Sequence, residues 1–154
     1  MNESEELIQT FYDAFSRLDY ATMKSCYSDN PVFNDPVFGI LQGDEVGAMW
    51  EMLCRNAKDF SLHYEKIVVD GEYGNCNWTA SYTFSKTGRR VVNHVKAHMR
   101  IENGKITEHT DEFNFNKWAR QALGLTGLLL GWSGYLKNKV RHDAKERLFR
   151  FMSQ

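Results

Sequence analysis

Apolar residues recur every three or four positions from residue 3 to residue 18, placing Leu7, Ile8, Phe11, Phe15 and Leu18 on one side of an amphipathic helix. Asn2 and Glu5 stand in capping-box positions ahead of it. Asp19 can cap a second helix that buries Met23, Cys26 and Tyr27. The pattern then breaks at Asn30–Gly43, which holds both prolines and cannot be helical. Beyond it, Asp44 is a candidate N-cap for a third helix with Val46, Met49, Trp50 and Leu53 on one side.

From Phe60 the period changes to two. Phe60, Leu62 and Tyr64 alternate with polar residues, and Trp78, Ala80, Tyr82 and Phe84 share a face of a second strand. A third strand, 90–101, sets Val91, Val95, Ala97, Met99 and Ile101 against His94, Lys96, His98 and Arg100, and a fourth covers 105–115. Three helices before a four-strand antiparallel meander read as α+β, with helices covering one face of the sheet. The tail differs. Residues 124–134 are apolar and glycine-punctuated but too short to span a bilayer. Residues 135–152 carry Leu136, Val140, Ala144, Leu148 and Met152 at spacing four, with a basic outer side.

The chain has the length of one domain, and 42% hydrophobic with 25% charged residues is the balance of a globular protein, not a disordered one. The acidic start lacks the basic and apolar regions of a signal peptide, so a cytoplasmic location is expected. Cys26, Cys54 and Cys76 are widely spaced and read as buried free thiols. Charge is uneven: residues 1–54 hold ten acids against Arg17 and Lys24, whereas 137–150 are mostly basic. Opposite-signed ends permit contact within a chain or between subunits, and no nucleic-acid partner or membrane insertion is expected.

The first candidate for chemistry is Asp35, a carboxylate between Phe33 and Phe38 whose backbone Pro36 keeps out of the α region. It is either a poised base or a turn residue. His94 and His98 share a strand face but lie roughly 13 Å apart, too far to hold one ion. No phosphate loop, nucleophile motif or cofactor fingerprint is present. No metal and no cofactor are therefore expected.

The order helix, helix, Val32-Phe-Asn-Asp-Pro36, helix, meander resembles the nuclear transport factor 2-like superfamily, in its SnoaL-like and ketosteroid isomerase-like branch. Phe11-Tyr-Asp-Ala-Phe15, Leu41-Gln-Gly43 and Asn103-Gly-Lys-Ile106 carry the same resemblance. It implies a cone-shaped curved antiparallel sheet wrapped around the N-terminal helices, with a C-terminal helical extension. Residues 1–118 would form the domain. Residues 119–154 would pack on that domain or on a subunit partner, the run Leu128-Leu-Leu-Gly-Trp132 needing cover in a homodimer. Fold likeness leaves open a cofactor-free acid–base enzyme (polyketide cyclase, isomerase or hydrolase type) and a non-catalytic ligand-binding or protein-interaction module.

Carried over by position, Asp35 falls on the isomerases' general base. Their enolate-binding donors map onto Phe11 and Ala97, neither of which donates a hydrogen bond, so steroid isomerisation is not expected. Tyr12 lies about 100° around the helix from Phe11 and would point elsewhere. The cyclases use an acid on the last strand with a histidine nearby, which maps onto Asp111 and His109. The resemblance thus implies Asp35, His109 and Asp111 as proton-transfer groups. Around them, Phe11, Phe15, Phe33, Trp50, Trp78, Tyr82, Ala97 and Phe113 would line a pocket for a small hydrophobic molecule. A two-residue loop at Asn103-Gly104 would put His109 opposite His98, on the polar face. A Glu102-Asn103-Gly104 loop with a bulge at the glycine would put it opposite Ala97, facing the pocket, and the resemblance favours this register.

Overall fold

A computed structural model describes residues 2–130 and 133–154. The side chains of the Leu128–Trp132 run, and with them the cover expected for it, lie outside the described residues.

Helix α1 (Glu3–Ser16) is capped by Asn2, whose side chain accepts from Glu5 N at 2.8 Å. Helix α2 (Tyr20–Ser25) is capped by Asp19. It stops before Tyr27, which opens a strand rather than closing the helix, so the expected helical place for Tyr27 is corrected. The proline-bearing stretch is the largest correction to the predicted elements. It forms β1 (Tyr27–Asp35) and β2 (Gly39–Gln42), two strands beyond the predicted meander. Pro31 and Pro36 fit because β1 is irregular before Val32 and ends at Asp35.

Helix α3 (Asp44–Asn56) has Gly43, at φ 59°, in the N-cap position instead of Asp44. Glu45 reaches back to accept from Gln42 N at 2.9 Å. Strands β3 (Ser61–Asp70), β4 (Tyr73–Phe84), β5 (Arg89–Glu102) and β6 (Lys105–Glu112) follow. The last strand ends earlier than expected because Asn114 caps α4 (Phe115–Leu123). Helices α5 (Leu125–Leu130) and α6 (Gly134–Met152) complete the described chain.

The six strands form one open, curved sheet in the order β2-β1-β6-β5-β4-β3. Neighbours are antiparallel except β1 and β6, which run parallel. The α+β expectation holds, with the sheet wrapped around α1. Ile8, Phe11, Tyr12 and Phe15 of that helix are all buried. Phe11 and Tyr12 both point into protein but in different directions, as the helical angle implies: Phe11 packs on Tyr27, Trp50 and His109, and Tyr12 on Tyr64 and Trp78. At Gly74 the approach is closest, where a Cβ would meet Ile8 Cδ1 at 2.6 Å.

The β5–β6 hairpin decides which side chains face this core. Asn103 and Gly104, at φ 53° and 74°, form a two-residue loop, and Glu102 pairs with Lys105. The register then shifts between Arg100 and Ile101, leaving Thr107 as the extra residue, so Arg100 faces Glu108 and Met99 faces His109. The favoured Glu102-Asn103-Gly104 loop is thereby corrected: His109 faces the core, but through a bulge inside the strand, and its partner is Met99 instead of Ala97. Asp111 is the residue opposite Ala97.

Candidate functional site

Asp35 ends β1 in a turn made by its own neighbours. Pro36 has no N–H, and the next two amides, Val37 N and Phe38 N, both donate to Asp35 Oδ1, at 2.9 and 2.6 Å. Burial pushes its carboxyl up to about 7, with the negative charge of Asp111 adding to the rise; the bonds from Phe38 and Val37 pull the other way. Above the turn, Arg141 of α6 donates to the Pro36 carbonyl at 3.3 Å, and its Cδ lies 2.9 Å from where a Cβ on Gly39 would be. The tail helix therefore rests on the turn that holds Asp35.

His109 and Asp111 sit two residues apart on the inner face of β6, and they are the buried polar residues among those described (1% and 3% exposed). His109 Nε2 lies 2.8 Å from Asp111 Oδ1, and His109 Nδ1 lies 2.6 Å from Tyr27 Oη. Trp50 Nε1 donates to the same phenol oxygen at 2.9 Å. Around the imidazole, Phe11 and Phe33 present edges at 5.7 and 5.1 Å, while Tyr27 and Trp50 stack at 6.1 Å. A buried histidine in such a box needs both nitrogens satisfied, and side chains from β1 and β6 supply that.

Asp35 and Asp111 both line a cavity of about 240 Å³. Its walls are largely apolar and include the predicted Phe15, Trp50, Trp78, Tyr82 and Phe113. Phe11, Phe33 and Ala97 are buried behind the wall and do not line it, and His109 reaches it only through Asp111. Phe38, Met49, Phe60 and Trp118 complete the wall, and α6 adds Val140, Ala144, Asp143 and Arg147. Lys86, on the β4–β5 turn, lines the solvent end and pairs with Asp143 at 3.7 Å. An apolar hole of about 150 Å³ accepts benzene, so this one suits a molecule of one or two rings.

A larger groove of about 1150 Å³ runs over α2, α3 and the chain end, lined by Lys24, Glu51, Arg55 and Lys105 among others. It is open to solvent and contains none of the three predicted proton-transfer groups. Largely apolar walls and two carboxylates single out the smaller cavity.

Tyr27 and Trp118 were not among the predicted site residues. Trp118 Nε1 donates to Tyr82 Oη at 2.9 Å. A strand reading of Tyr27–Asp35 would have placed Tyr27 on the sheet beside the last strand, but the prolines hid that strand. Trp78 Nε1 and Tyr12 Oη are buried with no hydrogen-bond partner among the described residues. His94 and His98 lie on the outer face, bonded to Thr79 at 2.9 Å and to Asn75 at 3.0 Å. Among the described residues no group of three or more His, Cys, Asp or Glu side chains is arranged to hold a metal, and no helix is long and apolar enough to cross a membrane.

Several solved structures share this architecture. A nuclear transport factor 2-like protein of unknown function from Burkholderia pseudomallei K96243 is 21% identical, with 79% of this chain and 98% of that one covered at a TM-score of 0.69. An LEH-like epoxide hydrolase of M. tuberculosis is 19% identical, with 87% and 95% covered at 0.65. TerC, co-crystallised with polyporic acid, is 16% identical, with 73% and 92% covered at 0.62. At these identities the likeness establishes the fold alone. No curated protein sequence matches. Residues 8–109 match the sequence profile of the SnoaL-like domain, so with the fold just described the chain belongs to the SnoaL-like family of the nuclear transport factor 2-like superfamily.

Proposed function

We propose that this protein is a cofactor-free acid–base enzyme of the cyclase, isomerase or hydrolase type, acting on a hydrophobic molecule of one or two rings that bears a carbonyl or a strained ether. The observation that carries the reading is that two carboxylates from different strands, the half-buried Asp35 and the buried Asp111, line one largely apolar cavity. Asp35, raised to about 7 by burial, is poised to give or take a proton near neutral pH. Asp111, bonded to His109, is the base beside it. Support comes from neighbours of this shape that include an LEH-like epoxide hydrolase and TerC, co-crystallised with polyporic acid. Steroid substrates fit poorly: the volume is small, and Phe11 and Ala97 offer no donors to an enolate.

Two assays test this reading. Proton NMR in D2O follows hydrogen exchange next to the carbonyl of a panel of small cyclic ketones, and 18O-water labelling follows ring opening of cyclic epoxides. Turnover should appear with at least one class, and Asp111→Asn and Asp35→Asn should each reduce it by roughly a hundredfold or more. If Asp35→Asn leaves an identified turnover unchanged, Asp35 has no part in the mechanism.

The two backbone amides on Asp35 Oδ1 favour a second reading, a ligand-binding module in which Asp35 only shapes the turn. Binding of ring compounds without exchange or ring opening would select it.

We also take residues 119–154 to be an extension packed on the 1–118 domain, supported by the contacts of α6 with Pro36 and with the cavity. The charge asymmetry of the chain supports a homodimer, which light scattering of the purified protein would check.

A further inference from the structure

The row Trp50–Tyr27–His109–Asp111 is a buried hydrogen-bonded cluster; Trp50 also walls the cavity, whereas Tyr27 has no part in the function proposed above. An indole N–H can only donate. Trp50 Nε1 gives its hydrogen to Tyr27 Oη at 2.9 Å, which occupies one lone pair of that oxygen and leaves the phenol its own hydrogen to give. The other neighbour of Oη is His109 Nδ1 at 2.6 Å. Were Nδ1 protonated, the phenol oxygen would accept twice, and its hydrogen would be buried with no acceptor among the described residues. With Nδ1 bare, every polar hydrogen in the row is used. A neutral imidazole then carries its hydrogen on Nε2, which faces Asp111 Oδ1 at 2.8 Å. Burial and the nearby Asp111 charge hold the Tyr27 phenol well above its ordinary pKa, so it remains a donor.

We infer that Tyr27 and Trp50 are positioning residues that fix the proton of His109 on Nε2, and so hold Asp111 as a hydrogen-bond acceptor with Oδ2 left for a ligand in the cavity. Neither Tyr27 nor His109 lines the cavity, so both act through Asp111 without touching what binds there. The catalytic meaning rests on the acid–base reading above. The proton order does not.

Long-range proton–nitrogen NMR of the 15N-labelled full chain tests this without a substrate. In the wild type, His109 Nε2 should resonate as a protonated, pyrrole-type nitrogen, and Nδ1 as a pyridine-type nitrogen displaced upfield by the bond it accepts. Tyr27→Phe should move Nδ1 downfield while Nε2 keeps its type, and Trp50→Phe should move it the same way by less. A protonated Nδ1 in the wild type overturns the proposal, as does an Nδ1 resonance that ignores Tyr27→Phe. Should either variant fail to fold, the wild-type spectrum alone decides. With a substrate found by the exchange or labelling assays, Tyr27→Phe should lower kcat roughly tenfold and leave KM unchanged. A raised KM with unchanged kcat overturns the positioning role. If the wild-type spectrum has the expected pattern and no compound turns over, the acid–base reading fails while the proton order stands.

Discussion

Asp35 and Asp111 line the same cavity but are held there by opposite means. Asp35 is fixed by the two amides that follow Pro36, bonds spanning two and three residues of chain. Asp111 is fixed through His109, Tyr27 and Trp50, which span more than eighty residues between Tyr27 and His109 and come from three elements. A locally built carboxylate tolerates change elsewhere in the fold. One built by tertiary contacts depends on several packing decisions at once.

The largest expected effect separates these two modes. Trp50→Ala removes ring contacts to Phe11, Phe15, Phe33 and His109 together with the bond to Tyr27. It should cost about 3–5 kcal/mol in denaturant unfolding, whereas Pro36→Ala, beside Asp35, should cost about 1 kcal/mol or less. Equal losses would contradict the distinction.

Next comes pH. The folded-state value of Asp35, about 7, lies above its ordinary 3.8, so the folded protein binds more protons than the unfolded chain between those values. Its stabilising contribution is full below the ordinary value and is lost as pH rises through 7. The loss is at most about 4 kcal/mol, and less to the extent that the half-buried carboxyl reaches water. Thermal melts from pH 5 to 8.5 should slope downward in the wild type and flatten in Asp35→Asn. A slope that survives that substitution would assign the effect to another group.

Asp111→Ala should cost about 1–3 kcal/mol, because it leaves His109 Nε2 buried without its partner. The loss should shrink when Trp50→Ala is already present, since both act on one cluster, and an additive double mutant would break the cluster into independent parts. Smallest is Lys86→Ala at the cavity's solvent end. Its pair with Asp143 spans 3.7 Å between partly exposed side chains, and unfolding should change by less than about 0.5 kcal/mol.

Much of the scaffold was legible along the chain because the signals are local. The 3.6-residue period and Asn2 mark α1, alternation marks β3 to β5, and Asn103-Gly104 marks the last hairpin turn. Asp35 was legible for the same reason, since an aspartate before proline advertises its turn. What the pattern concealed has a physical cause in each case. β1 and β2 carry proline and glycine, and β1 becomes a strand only because β6 and β2 offer it partners on both sides. Tyr27 looked helical because it follows Met23 at helical spacing, yet its hydroxyl belongs to His109.

By itself the sequence determined the helix and strand periods, the α+β class, the family and a short set of polar residues able to move protons, because each depends on neighbours within a turn or a strand. Tertiary structure decided which of those residues meet. Side-chain direction in a strand alternates with every residue, so the extra residue Thr107, placed where β6 pairs with β5, turns His109 and Asp111 inward. The same packing sets Tyr27 and Trp50 against the imidazole and closes α6 over the cavity. Contacts of that range leave no periodic trace along the chain.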